Sequence, residues 1–327
     1  MQFRIPFLVA CLVGTVAAIT GLSHTAMTHH LDRDIPALAL AAAPMWFFGK
    51  LGDNDPCYPT SATDAGGHQT LGVEGCDYPD VGCHCRNPDV PPSSPGPPFP
   101  VYVSARRCQP GEVRVAYSLF YQKDGTKPEG GLGHPLFVSP PVSSSFQPVT
   151  LDWTCLHLPL PVAQTDPPPP SDWERVIVIW TQPSRTSANT THNNPRAAWS
   201  PTQLLLSQHF GYQTLNWSDI PHTFSTPDAC LPRGGPDDVK GENHPKVYVS
   251  WSKHANYATT STHWRDLLSQ FTDNAFRSDD WWYFPATKSE YLQADGATAL
   301  GRTLAGFRWG LAESHPAKVH DEMCGAE

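Results

Sequence analysis

The sequence predicts a mainly β protein, a single-domain β-sandwich with a few peripheral helices and long loops. The chain has 327 residues, of which 35 are proline and only 16% are charged. Runs of β-branched and aromatic residues, which favour strands, outnumber runs with helical periodicity. The sequence contains neither an internal repeat nor a convincing linker, so one domain is the economical interpretation.

The N-terminus has the layout of a signal peptide. Arg4 provides the positive charge, residues 5–16 are apolar, and small residues at 16–18 form a cleavage site. The apolar run is too short to span a bilayer comfortably. We therefore expect a secreted, extracellular protein with a signal peptide over residues 1–18, an N-terminal arm over 19–50 that holds a helix at 35–48, and the domain over 51–327.

Cysteine usage agrees with export. Cys11 is one of nine cysteines and leaves with the signal peptide, so eight remain. In an exported protein such a set indicates disulfides, because the compartment is oxidising. Zinc binding is the alternative, but two cysteines separated by one residue, at 83 and 85, lack the usual spacer. The predicted pairs are Cys57 with Cys76, Cys83 or Cys85 with Cys108, and Cys230 with Cys324, while Cys155 has no assigned partner.

The predicted elements follow one another along the second half of the chain. Strands are expected at 112–123, 175–182, 203–208 and 246–253, a strand or loop at 279–285, and short helices at 264–271 and 298–307. Asn189 and Asn216 begin sequences that accept N-linked glycans, which suits a secreted protein. The aromatic residues 281–283 suit either a membrane interface or the core, and core packing is the preferred interpretation.

A proline-rich segment, 135–171, separates two of these strands. It shows no sustained period of either kind and is expected to be an exposed, poorly ordered insertion. Its composition differs from that of both flanks. We interpret it as a retained intron or a gene-model error, with a recent genuine insertion as the alternative, and sequencing the transcript distinguishes the two.

Two carboxylates lie at the mouth of the strand predicted at 175–182. Because side chains alternate along a strand, Asp172 and Glu174 share one face and Trp173 takes the other. Carboxylates this close repel each other unless a positive charge lies between them, and a divalent cation with oxygen ligands would supply it. The alternative is a solvated acidic strand end whose partner is Arg175.

Other polar residues also stand where predicted strands end. If the strands lie side by side, these ends meet at one rim, and a rim of carboxylates and imidazoles suits a divalent cation. The residues are Asp124, His134, Asp172, Glu174, His209 and His254. No Gly-x-Ser-x-Gly, phosphate-binding glycine loop or His-Glu-x-x-His motif is present. The formal net charge of −9 argues against nucleic acid as a partner.

Six segments together resemble the necrosis- and ethylene-inducing-peptide-like family, in its cysteine-richer fungal type. They are GDNDPCYP at 52–59, VRVAYSLFYQKD at 113–124, DWERVIVIW at 172–180, LSQHFGY at 206–212, HPKVYVSWSKH at 244–254 and SDDWWYFP at 278–285. The family's hallmark is a contiguous GHRHDWE. Here Asp172-Trp173-Glu174 is preserved, but Gly133-His134 lies upstream of the insertion, and the Arg and the second His are absent.

The resemblance implies a β-sandwich that carries magnesium or calcium at its rim. Asp124, His134, Asp172 and Glu174 would be the metal ligands, directly or through water, and His209 and His254 would lie around them. In this family the ion is not a hydrolytic catalyst. It helps receive the sugar headgroup of plant glycosylinositol phosphorylceramides at the plasma membrane.

The resemblance implies a secreted, necrosis-inducing cytolysin that acts as a phytotoxin and virulence effector. Such a protein is expected to be a monomer that contacts the membrane peripherally and is not an enzyme. A non-cytolytic protein that binds the same kind of headgroup is the first alternative, favoured by the split hallmark. A metal-dependent extracellular hydrolase is the second, and no water-activating base stands out for it.

Overall fold

The structure is a computed structural model. It describes residues 19, 21–49, 57, 59–73, 76–78, 99–123, 126–128, 171–183, 198–208, 211–225, 227–228, 243–261, 276–310 and 312–327. Several predictions fall outside this part of the chain. They are the signal peptide before residue 19, the insertion up to residue 170, the helix at 264–271 and the glycosylation acceptor Asn189.

The described part contains four helices and twelve strands. The helices are α1 (His24–Arg33), α2 (Ile35–Leu40), α3 (Ala299–Ala305) and α4 (Pro316–Glu322). The strands are β1 (Met45–Phe48), β2 (Cys76–Tyr78), β3 (Val101–Gln109), β4 (Glu112–Tyr121), β5 (Thr126–Pro128), β6 (Asp172–Thr181), β7 (Ser200–Gln208), β8 (Gly211–Asn216), β9 (Lys246–Val249), β10 (Asn256–Tyr257), β11 (Trp281–Tyr283) and β12 (Tyr291–Gln293).

Two sheets face each other. The larger sheet has the order β12-β3-β4-β6-β7-β8 and the smaller has the order β10-β9-β1-β11. Within the larger sheet only β12 and β3 are parallel, and within the smaller sheet only β1 and β9 are. β2 and β5 form a separate parallel pair. This arrangement confirms the predicted β-sandwich.

The core lies between the two sheets and follows the alternation of the strands. Val176, Val178 and Trp180 of β6 point inward and join Tyr117 of β4 in one apolar cluster, which also includes Trp46 of β1. The β-branched and aromatic side chains on these inner faces are almost fully buried. Trp281, Trp282 and Tyr283 are buried in the same cluster, which supports core packing over a membrane interface.

The outer face of the larger sheet is covered at two places. Near the start of β6, Trp173 packs with Trp309 at 5.3 Å between ring centroids, in a cluster that also holds Tyr102 and Phe120. Further along, Ile177 and Ile179 pack against Val319 of α4. Most of the outer face of β6 is therefore buried as well, because α4 and the segment around Trp309 close over it.

A group of contacts fixes the C-terminal segment to this outer face, and we call it the C-terminal clamp. The clamp consists of Glu112, Arg114, the disulfide Cys108–Cys324 and the carbonyls of Met323 and Ala326. Arg114 donates from Nε to Glu112 at 2.8 Å and from Nη1 to the two carbonyls at 2.8 and 2.6 Å. The disulfide joins residues 216 positions apart.

This disulfide corrects two sequence predictions. Cys108 and Cys324 are disulfide cysteines as predicted, but they pair with each other and not with Cys83 or Cys85 and Cys230. The strands of a sandwich bring distant segments together, so proximity in the sequence was a poor guide. Cys57 is also disulfide-bonded, and its partner is outside the described side chains. The pair Cys57–Cys76 stays a prediction, as do the roles of Cys83, Cys85, Cys155 and Cys230.

The elements differ from the prediction mostly near the N-terminus. The helix expected at 35–48 ends at Leu40, and Met45–Phe48 is a strand between β9 and β11 in the smaller sheet. The arm therefore contributes to the sandwich. The strand expected at 246–253 ends at Val249. In the described part, the helices α1 and α4 and the strands β2, β3, β5, β8, β10 and β12 had not been predicted. No described helix is long and apolar enough to cross a bilayer.

Candidate functional site

The start of β6 brings two carboxylates to the inner face of the larger sheet. Asp172 pairs across the sheet with Tyr121 of β4, and Glu174 pairs with Leu119. Trp173, between them, points to the outer face, as the alternation predicted. The carboxylates therefore lie where the inner apolar face ends, and Glu174 is buried there. We call this group of residues and its contacts the acidic end of β6.

Glu174 is held by a serine of the neighbouring strand. The regular pairing of β6 with β7 ends at Val176 and Leu206. Beyond that pair, the Ser207 hydroxyl accepts from the backbone N–H of Arg175 at 2.9 Å and donates to Glu174 Oε2. A hydroxyl has one proton to donate, so this geometry directs that proton to the carboxylate.

Asn256 of β10 completes the environment of Ser207. Its Nδ2 donates to Ser207 Oγ at 3.1 Å and to the carbonyl of Arg175 at 3.3 Å. Both protons of the amide are then in use, and the opposite assignment of the amide would place its oxygen against that carbonyl. Ser207 therefore has two donors and one acceptor, which saturates its hydroxyl.

His254 holds the other carboxylate. Its Nδ1 lies 3.1 Å from Asp172 Oδ2, and its ring stacks on Tyr121 with 3.9 Å between centroids and 7° between planes. His254 and Ser252 both lie in the segment that connects β9 to β10. Their backbones are in the left-handed region, with φ of 58° and 70°. Such backbone costs energy in non-glycine residues and is common at binding sites.

The electrostatics of the acidic end are visible at Tyr121. Burial raises the pKa of Tyr121 well above its ordinary value, and the negative charges of Glu174 and Asp172 raise it further. The phenol therefore stays protonated at neutral pH. Both carboxylates lie close enough to Tyr121 to act on its hydroxyl.

Arg175 does not neutralise this acidic pair. Its side chain points to the outer face, where Nε donates to the Tyr212 hydroxyl at 2.6 Å and the guanidinium lies 5.0 Å from the Tyr212 ring. The alternative interpretation of Asp172 and Glu174, a strand end paired with Arg175, is therefore wrong. The alternation that joins the two carboxylates also separates them from this arginine.

The structure thus brings together three of the six predicted rim residues. Asp172 and His254 are in contact, and Glu174 lies beside them on the same face of β6. Asp124, His134 and His209 lie outside the described residues. Within the described part, no group of three or more His, Cys, Asp or Glu side chains is arranged to hold a metal ion.

Three further residues of the acidic end had not been predicted. Tyr121 could have been found from the β4–β6 register, which pairs it with Asp172. Asn256 follows His254 by two residues, a spacing that favours one face of a strand. Ser207 gave no signal, because it reaches Glu174 only where the β6–β7 pairing stops.

The donors at the acidic end fit a hard divalent cation as a partial ligand set. Asp172 and Glu174 offer carboxylate oxygens, the ligands that magnesium and calcium prefer. Hydrogen bonds from Ser207 and His254 orient these carboxylates, which is how residues around a metal site usually act. Further ligands would have to come from water or from the predicted residues Asp124 and His134.

Comparison with known proteins gives few matches. No protein-family model and no curated protein matches the chain. Among solved structures, the chain is similar to NLPPya in complex with glucosamine, with a TM-score of 0.38 and 16% identity over 89% of each chain. It is also similar to NLPPya in complex with mannosamine, with a TM-score of 0.35 and 15% identity over 84% of this chain and 81% of that one. Because these TM-scores lie below 0.5, the likeness supports no statement about function.

Proposed function

We propose that this chain is a secreted, non-enzymatic protein that binds the sugar headgroup of a plant membrane sphingolipid with the help of a divalent cation, magnesium or calcium, and damages the plasma membrane. The observation that carries the proposal is the acidic end of β6, where Asp172 and Glu174 share one face and Arg175 points away from them. The resemblance of the six sequence segments to necrosis-inducing proteins supports the same function.

The roles of the residues follow from their contacts. Asp172 and Glu174 would hold the cation, with Asp124 and His134 as further predicted ligands. A bound, partly hydrated cation supplies open coordination positions for hydroxyl oxygens. His254 and Ser207 fix the two carboxylates, and Tyr121 provides a flat, uncharged surface beside them. His209 is a predicted member of the surrounding shell.

Isothermal titration calorimetry with calcium and with magnesium tests the cation site. Asp172→Ala and Glu174→Ala should each weaken cation binding by about 10- to 100-fold. Glu313→Ala is the matched control, because Glu313 is an exposed carboxylate that pairs with Lys318 at 2.9 Å, outside the acidic end. Unchanged cation affinity in both site variants, or no cation binding by the wild-type protein, would refute the proposal.

A second candidate function is headgroup binding without membrane damage. It is favoured by the hallmark, which is interrupted between His134 and Asp172 and lacks its Arg and second His. Leakage from liposomes that contain the plant sphingolipid separates the two. Leakage that a chelator abolishes supports the cytolysin, and binding to the liposomes without leakage supports the second candidate. Turnover of the headgroup would instead indicate a hydrolase.

A further inference from the structure

Three buried polar atoms at the acidic end of β6 have no hydrogen-bond partner among the described residues. They are the hydroxyl of Tyr121, Nε2 of His254 and Oδ1 of Asn256. These residues are 2%, 1% and 1% exposed. Buried polar groups in folded proteins are nearly always hydrogen-bonded, so each such atom requires an explanation, and three around one carboxylate pair indicate a common one.

The hydrogen bonds that these residues do make show what the three atoms can bind. The carboxylate of Asp172 only accepts, so His254 Nδ1 carries a proton and donates to it. Nε2 is then the ring nitrogen without a partner among the described residues. Asn256 spends its Nδ2 protons on Ser207 and the Arg175 carbonyl, which leaves Oδ1 as an acceptor. The Tyr121 hydroxyl can accept one hydrogen bond and donate another.

The three atoms also lie next to the carboxylates. Tyr121 stacks on His254, which contacts Asp172, and Asn256 bonds to the same serine hydroxyl that holds Glu174. Asn256 Oδ1 and the Tyr121 hydroxyl can both accept a hydrogen bond, so together with the two carboxylates they favour a ligand that donates. This arrangement does not suit an anion, and the site is too polar for an apolar ligand.

We propose that Tyr121, His254 and Asn256 form hydrogen bonds with the O–H groups of whatever the carboxylate pair holds, which are water molecules on the cation or hydroxyls of the sugar. The inference rests on the proposed function and adds the residues that select a hydroxyl-bearing ligand. Tyr121 and Asn256 act here as specificity residues. Among the described residues nothing fills the bonding capacity of the Tyr121 hydroxyl and of Asn256 Oδ1, so both atoms can bond to such a ligand.

Tyr121→Phe tests this inference, because it removes one oxygen and keeps the ring that stacks on His254. Tyr117→Phe is the matched control. Tyr117 lies on the same strand and the same face, but its hydroxyl donates to the Ala39 carbonyl at 2.7 Å. Two readouts are compared for each variant: the melting temperature of the cation-free protein, and binding of calcium chloride alone and of glucosamine at saturating calcium.

The two variants should behave in opposite ways. Tyr121→Phe should leave the melting temperature unchanged or raise it, because an unpaired buried hydroxyl is lost, and should weaken binding about five- to tenfold. Tyr117→Phe should lower the melting temperature and leave binding unchanged. Weaker binding in the titration with calcium alone assigns the hydroxyl to cation-bound water. Weaker binding only in the glucosamine titration assigns it to a sugar hydroxyl.

The inference is overturned if Tyr121→Phe lowers the melting temperature as Tyr117→Phe does and leaves both affinities unchanged. In that case the hydroxyl has a structural role. If Asp172→Ala weakens cation binding while Tyr121→Phe does not, the inference fails and the proposed function stands. If the wild-type protein binds neither calcium nor glucosamine, both are refuted together.

Discussion

The larger sheet carries buried charge at two places that are built in opposite ways. At the C-terminal clamp, on the outer face, Arg114 is satisfied by Glu112 and by two main-chain carbonyls. At the acidic end of β6, on the inner face, two carboxylates come together while Arg175 points away, and Tyr121, His254 and Asn256 retain polar atoms without a partner in the described structure.

This difference separates a contact made for stability from one made for binding. A buried charge with all its hydrogen bonds made is costly to disturb and offers nothing to a ligand. Buried polar atoms that lack partners lower the stability of the free protein, and a ligand can supply the missing bonds. The comparison predicts that changes at the clamp affect folding alone, and that changes at the acidic end also affect binding.

The largest effect is expected at the clamp. Arg114→Ala should lower the free energy of unfolding by about 3 kcal/mol, because it leaves the Glu112 carboxylate and the carbonyls of Met323 and Ala326 without their donor. Denaturation in urea measures this change. Arg302 is the matched control, since it also donates to a carbonyl, that of Ala297 at 2.6 Å, but is exposed.

Arg302→Ala should therefore change the free energy of unfolding by no more than about 0.5 kcal/mol. Cation binding, measured by calorimetry on the folded protein, should be the same in both variants. A loss of cation affinity in Arg114→Ala would show that the two faces of the sheet are coupled, and the comparison between clamp and acidic end would then fail.

A smaller effect is expected from Ser207→Ala, and it should appear in both stability and binding. The variant removes the donor to Glu174 and the acceptor of two N–H groups, from Arg175 and Asn256. We expect a loss of about 2 kcal/mol in the free energy of unfolding and cation binding about tenfold weaker.

The control for this change is Ser104→Ala. Ser104 is a buried serine on β3 of the same sheet, and its hydroxyl has no hydrogen-bond partner among the described residues. Its removal should leave stability and cation binding unchanged within about 0.5 kcal/mol. If Ser207→Ala weakened folding but not cation binding, Ser207 would belong with the stabilising contacts of the clamp.

The strands that carry the acidic end could be predicted from the sequence, for a local reason. The alternation in β4 and β6 is long and regular, so both strands and the shared face of Asp172 and Glu174 follow from it. β1 was missed because Met45–Phe48 is a short apolar run, which does not distinguish a strand from the end of a helix.

The residues that orient the carboxylates depend on information that a sequence pattern does not contain. Ser207 reaches Glu174 because the β6–β7 pairing stops at Leu206, and Asn256 reaches Ser207 because β10 lies against β6 and β7 of the larger sheet. Pairing between distant strands also decided that Cys108 bonds to Cys324. The predicted roles of Asp124, His134 and His209 stay predictions.

The smallest effect is expected at the start of α4, the helix that leads into the C-terminal clamp. It is a dependence of folding stability on pH. His315 is the N-cap of α4, and its Nδ1 accepts from the backbone N–H of Lys318 at 3.4 Å, which requires the unprotonated nitrogen. Burial lowers the pKa of His315 from its ordinary value of 6.5, and the charge of Lys318 lowers it further against the opposing carboxylates nearby.

The sign follows from this lowered pKa. The folded protein holds the neutral imidazole of His315, and the unfolded chain takes up a proton near pH 6.5. The contribution of His315 to folding stability is therefore complete above pH 6.5. It is lost as the pH falls from 6.5 towards the lower pKa that His315 has in the folded protein. The loss should be about 1 kcal/mol or less, because His315 is only partly buried and a cap contributes about that much.

His315→Asn tests the assignment, since asparagine caps a helix well and does not titrate in this range. Urea denaturation at pH 7.5 and pH 5.5 should show a smaller drop in stability for His315→Asn than for the wild-type protein, with calcium affinity equal in the two at pH 7.5. An identical drop in both proteins would show that His315 does not contribute. The pH dependence of folding would then have to come from other titratable groups.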